Sequence, residues 1–142
     1  VGLGEAARLA RQEGPEETQR IGRLHLRLLA GLSAAGLTPE INGAAFTGSE
    51  APGHMPRVPH NLNLSIPGTE ADRIIRALPD IAMSAGSACS SAAVEPSYVL
   101  RALKLADARV TAALRLGLGR FTTEAEVDRA VAMLAKAARA RS

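Results

Sequence analysis

The chain has 142 residues, 46% hydrophobic and 22% charged, a balance that suits one soluble globular domain (residues 1–142) able to bury a core. Its net charge of +3 is dispersed and only three aromatics occur, Phe46, Tyr98 and Phe121, which argues against a nucleic-acid surface. One cysteine rules out an internal disulfide and fits a cytoplasmic setting, and no apolar run reaches membrane-spanning length.

Residues 1–12 read as a short helix that ends near Gly14 and Pro15. The chain thus opens inside a helix, at a valine, as a piece of a longer protein would. A longer helix follows, because Ile21, Leu24, Leu28 and Leu32 repeat at helical spacing. Gly36 is its expected stop. Residues 40–43 suit a short strand and turn, and 43–59, rich in Gly, Pro and Ala, a surface loop. Asn61-Leu62-Asn63-Leu64-Ser65-Ile66 alternates as a half-buried strand does.

Thr69 is placed to cap a helix whose apolar face is Ala71, Ile74, Ile75 and Leu78. Residues 81–83 suit a short buried strand. A helix from Pro96 and Ser97 would turn Val99, Ala102 and Leu103 inward. Residues 110–118 read as a strand, with Leu114, Leu116 and Leu118 on one face and Ala113, Arg115 and Gly117 on the other. Thr123 and Glu126 have capping-box spacing, ahead of a last helix bearing Val127, Ala130, Val131 and Leu134. Basic residues at its end suit a helix C-terminus. The pattern predicts an α+β fold of about four mainly antiparallel strands with helices packed on one face.

Cys89 lies where every residue from Ser84 to Ala93 is small. Two readings stand on the residues alone. A lone cysteine is often a small buried residue. A Gly/Ser-rich run also leaves its thiol free to move, and Ser84, Gly86, Ser87, Ser90 and Ser91 would form that mobile loop. No cation within the run would lower the thiol pKa. Arg115 stands between Ala113 and Gly117, either as a solvated arginine or with room for a bidentate carboxylate. His25, His54 and His60 match no metal-ligand spacing, so no intrinsic metal is expected. Gly117 and Gly119 before a helix are explained by a strand-to-helix turn as well as by a phosphate loop. Of 17 basic residues only Lys104 and Lys136 are lysines, both on predicted helices.

The run Ser84-Ala85-Gly86-Ser87-Ala88-Cys89-Ser90-Ser91, continued by Glu95-Pro96-Ser97-Tyr98-Val99-Leu100-Arg101-Ala102-Leu103, closely resembles cysteine desulfurases of the long-loop group that serves iron–sulfur cluster assembly. Arg115-Leu116-Gly117-Leu118-Gly119-Arg120-Phe121-Thr122-Thr123-Glu124 matches the family's later motif. Gly4-Glu5-Ala6-Ala7 and Asn61-Leu62-Asn63-Leu64-Ser65 fit its start and middle. The resemblance implies the C-terminal small domain of a fold-type I pyridoxal-phosphate enzyme, homodimeric when complete.

It also implies roles. Cys89 would attack the sulfur of the cysteine–cofactor adduct and become a persulfide, with alanine released. Arg115 would bind the substrate carboxylate. The sulfur would pass to an iron–sulfur scaffold or a tRNA-thiolation carrier, where the Cys89 persulfide could share a transient cluster ligand. The family's Schiff-base lysine, stacking histidine and most phosphate contacts belong to a large domain outside these residues, and Lys104 and Lys136 do not replace that lysine. The segment 43–59 is longer and richer in Gly and Pro than is usual for the family, and no extended C-terminal tail follows the last helix. A stand-alone module that accepts a persulfide on Cys89, or docks a partner, is the alternative.

Overall fold

A computed structural model describes residues 1–45, 57–85 and 97–140. Among the described residues four antiparallel strands form one sheet in the order β1-β2-β4-β3: β1 Glu40–Ile41, β2 Asn61–Ser65, β3 Met83–Ser84 and β4 Ala113–Gly117. Helices α1 Gly2–Ala34, α2 Ala71–Ala77 and α5 Glu124–Arg139 pack on one side, and α3 Tyr98–Ala102 and α4 Asp107–Thr111 lie together elsewhere. The α+β expectation of four antiparallel strands therefore holds.

Alternation along β2 and β4 decides the layers. Leu62 and Leu64 pair with Leu116 and Leu114, and all four are buried beneath Ile21, Leu24, Leu28 and Leu32 of α1 and Val127 and Leu134 of α5. The intervening residues turn the other way. There Ala113 is fully buried against Leu100 of α3 and Val110 of α4, whereas Arg115 is exposed. Where α1 and α5 cross, Gly31 lets the backbones approach: a Cβ added there would lie 2.8 Å from Val131 Cγ2. Arg27 of α1 reinforces the crossing through Asp128 at 2.7 Å and Glu124 at 3.0 Å.

Five expectations need correction. The predicted break at Gly14 and Pro15 does not occur, and α1 runs unbroken through Pro15 for 33 residues, about 50 Å at 1.5 Å per residue. Arg120 pairs with Glu13 at 3.0 Å and with Glu17 at 2.7 Å, so one cation bridges the two sides of the proline. Thr69 does not cap α2. The N-cap is Glu70, and the Thr69 hydroxyl donates to the Ile66 carbonyl (2.7 Å), closing the turn in which Gly68 has φ +77°. Short polar side chains compete for local backbone groups in this way.

The third strand is Met83–Ser84, because Ile81 is held in a turn by its N–H to the Leu78 carbonyl. In α3 the buried residue is Leu100, while Val99 and Leu103 are half exposed and Ala102 is exposed. A five-residue helix against α4 has room for one inward side chain. Finally, 110–112 is not strand. Val110 belongs to α4 and supplies the second apolar cluster, so tertiary packing overrides its β-branched preference. The capping box is present as expected: Glu126 N–H donates to Thr123 Oγ1, and Thr123 N–H to Glu126 Oε2.

Candidate functional site

Arg115 occupies the middle of β4, one of the two strands with neighbours on both sides. Its Cα partner is Asn63 on β2 and Ser84 on β3. Directly opposed residues share a face with Cβ atoms roughly 5 Å apart. Arginine, asparagine and serine therefore form a polar row across three strands. Asn61 and Gly117, Cα partners one step along the sheet, extend it. Asn61, Met83, Ser84, Arg115 and Gly117 help line a concavity of about 330 Å³.

The predicted space around the guanidinium is half realised. A Cβ added at Gly117 would meet nothing within 4 Å, but Ala113 is closed over by the α3–α4 cluster. Arg115 makes no hydrogen bond or ion pair with a described residue, and it helps line the concavity.

Beside this row lies a network that sequence reasoning did not single out. Asn42 is buried and its side-chain amide donates to Asn63 Oδ1 (2.8 Å) and Ser65 Oγ (2.9 Å). Arg109 donates from Nε to Asn42 Oδ1 (2.8 Å) and from Nη2 to the Ile41 carbonyl (2.7 Å), and pairs with Glu40 at 3.1 Å. The Ser65 hydroxyl donates to the Arg109 carbonyl at 2.7 Å. The one signal for these residues was the polar parity of Asn61, Asn63 and Ser65, which matches that of Arg115. Asn42 and Arg109 join through tertiary contact alone.

The turn that leaves β4 is also held. Arg20 donates to the Thr122 carbonyl (2.7 Å), the Gly119 carbonyl (3.1 Å) and the Arg120 carbonyl. The Arg120 guanidinium beside Glu17 holds that carboxyl below its ordinary value, and Glu17 raises Arg120 in turn. Two glycines near a helix here serve a turn gripped by arginine, since the Gly119 N–H donates to Thr122 Oγ1 at 2.9 Å.

Cys89, Gly86, Ser87, Ser90 and Ser91 lie outside the described residues. Ser84, expected at the start of the loop, is instead the last residue of β3, pinned opposite Arg115. His25 is buried with Nδ1 3.2 Å from the Pro59 carbonyl, and His60 lies 3.6 Å from Glu17; His54 lies outside the described residues. Among the described residues no cluster of His, Cys, Asp or Glu suits a metal ion, and no helix is long and apolar enough to cross a membrane.

Pyridoxal phosphate would need a desolvated amine to hold its aldehyde. Lys104 and Lys136 are both exposed, and neither lines the Arg115 concavity. The described residues do not fit that group.

No protein-family model matches the chain. Among curated proteins it is 44% identical over 139 residues to the cysteine desulfurase IscS of Anaeromyxobacter sp. (strain Fw109-5), covering 98% of this chain and 32% of that protein. It is 45% identical over 134 residues to the cysteine desulfurase IscS of Dechloromonas aromatica (strain RCB), covering 94% and 31%. The IscS of Methylobacillus flagellatus is 46% identical over the same shares. The chain thus spans about a third of the length of the curated relatives it matches. A solved structure titled NifS-like protein shares the fold, with a TM-score of 0.71, 21% identity, and coverage of 95% of this chain and 32% of that one.

Proposed function

We propose that this chain, related to IscS cysteine desulfurases over about a third of their length, supplies such an enzyme with its sulfur-accepting thiol and its substrate clamp. The carrying observation is the register of β3 and β4. Arg115 is exposed and unbonded by any described residue, and the residue paired with it, Ser84, is followed five positions later by Cys89. Five residues span at most roughly 18 Å. The thiol is therefore tethered to the strand pair that holds the candidate carboxylate site.

In this reading Arg115 takes the carboxylate of L-cysteine through paired N–H donors, which orients the substrate sulfur toward the chain bearing Cys89. The Cys89 thiolate attacks that sulfur. The new S–S bond forms as the carbon–sulfur bond of the substrate breaks, and the carbon takes a proton. Cys89-SH and L-cysteine become Cys89-S-SH and L-alanine, with atoms and electrons balanced. Pyridoxal phosphate, which the described residues do not fit, would supply the electron withdrawal that the cleavage needs when held by residues outside this chain. The small side chains from Ser84 to Ala93 place little steric restraint on the transfer of the persulfide to an acceptor. That acceptor is an iron–sulfur scaffold or a thio-carrier for tRNA, and the complete enzyme is a cytoplasmic homodimer.

Cys89→Ser in a complete desulfurase carrying these residues abolishes persulfide formation and leaves the cofactor's absorbance unchanged. Sulfur transfer retained in that variant sinks the assignment. Arg115→Ala raises the KM for L-cysteine with a smaller change in kcat, as removal of ground-state binding does.

A second reading rests on the exposure of both lysines: the 142 residues alone form a persulfide-accepting module that makes no sulfur itself. Mixing the purified chain with pyridoxal phosphate and L-cysteine and assaying L-alanine tests the module. Alanine released by the 142 residues alone would contradict it.

A further inference from the structure

The hydrogen bonds around Asn42 fix the orientation of a neighbour of Arg115. Arg109 has only donors, so the Asn42 atom that meets its Nε at 2.8 Å is the oxygen. The Asn42 amide nitrogen then faces Asn63 at 2.8 Å and Ser65 at 2.9 Å. Facing a donor, Asn63 must present Oδ1. Ser65 accepts from the same nitrogen and sends its own proton to the Arg109 carbonyl, so the assignment closes without a contradiction. Asn42 belongs to the β1 side, since its backbone N–H donates to the Asn63 carbonyl at 2.9 Å. Asn63 Oδ1 is thereby committed toward β1. Its Nδ2 is left with no described partner, on the half-exposed face that it shares with Arg115, its cross-strand partner.

We infer that the Asn63 side-chain amide is a second hydrogen-bond donor to the carboxylate that Arg115 clamps, with Asn42 and Arg109 as positioning residues behind it. The inference rests on the reading of Arg115 as the carboxylate clamp. A carboxylate has about four lone-pair sites, and a bidentate guanidinium fills two of them. An amide on a residue whose Cβ lies roughly 5 Å from the Arg115 Cβ can reach a third. Because its oxygen is held away, Asn63 offers the anion a donor and not a repelling acceptor.

The test uses a complete desulfurase carrying these residues, with KM and kcat for L-cysteine as readout and a thermal midpoint to verify folding. Asn63→Asp keeps an acceptor for Asn42 but replaces the outward N–H groups with a second oxygen. Asn63→Ala loses both. A donor role predicts that Asp is the worse change, raising KM about tenfold or more, with Ala raising it several-fold and kcat nearly constant in both. A purely structural role predicts the opposite order, with Asp near the parent KM and Ala impaired, and that order overturns the inference. Unchanged KM in both Asn63 variants, while Arg115→Gln raises it, overturns the inference alone. An unchanged KM in Arg115→Gln overturns the clamp and the inference together.

Discussion

The two faces of the sheet are made by the same five-residue strands and follow opposite rules. On one face Leu62, Leu64, Leu114 and Leu116 are sealed beneath α1 and α5. On the other, Asn61, Asn63, Arg115 and Gly117 stand in register, exposed or half-exposed. The buried face contributes stability, and the open face is free to carry binding because little of the fold depends on it. Substitutions should separate the two roles.

The largest expected effect falls on the closed face. Leu114→Ala leaves a cavity in a site with no solvent exposure and should cost about 2–5 kcal/mol, read as a lower urea midpoint. Gly31→Ala comes next, at about 1–3 kcal/mol by the same measurement. The new methyl meets Val131, whose branched side chain has few rotamers with which to retreat. Near the second cluster, Lys104 holds φ +56°, the only described non-glycine residue in the left-handed region, after the C-cap of α3. Lys104→Gly should stabilise by about 1 kcal/mol, seen as a higher melting temperature.

Acid tests the pairs that tie the helices together. Arg120 lowers Glu17, Thr123 lowers Glu126 and Arg27 lowers Asp128. A carboxyl lowered in the folded state stabilises above its unfolded value and loses that contribution as pH falls through its folded value. The melting temperature should therefore drop below about pH 4.5, and Arg120→Ala should lessen that dependence. The smallest stability effect is expected on the open face. Arg115→Ala should stay within about 0.5 kcal/mol of the parent by urea titration, while its KM effect in a complete enzyme is large. A destabilisation as large as that of Leu114→Ala would make Arg115 a structural residue and dissolve the contrast.

Much of the closed face was readable from spacing, since Leu62 and Leu64, Leu114 and Leu116, and the α1 series from Ile21 to Leu32 all sit where their periods put them. Arg115 could likewise be assigned to the opposite face by parity. The α3–α4 region was harder. Val110 looks like a strand residue, and Leu100 is told from Val99 and Leu103 only by what packs on it. Asn42 and Arg109 could not have been placed near Asn63, because they lie 21 and 46 positions from it and no local pattern joins them. The residues around Cys89 were recognisable as a motif, though Ser84 belongs to the sheet and not to the loop.

By itself the sequence determined the strand faces, the α1 and α5 stripes, the Thr123 cap and the likeness to cysteine desulfurases, because each is written in periodicity or in a contiguous motif. Only tertiary structure decided three other features: that α1 passes through Pro15, that Ser84 and Asn63 flank Arg115, and that Asn63 is turned with its oxygen toward Asn42. These depend on partners distant in the chain: a cation shared by Glu13 and Glu17, the strand register, and a donor-only guanidinium that orients one amide and through it the next.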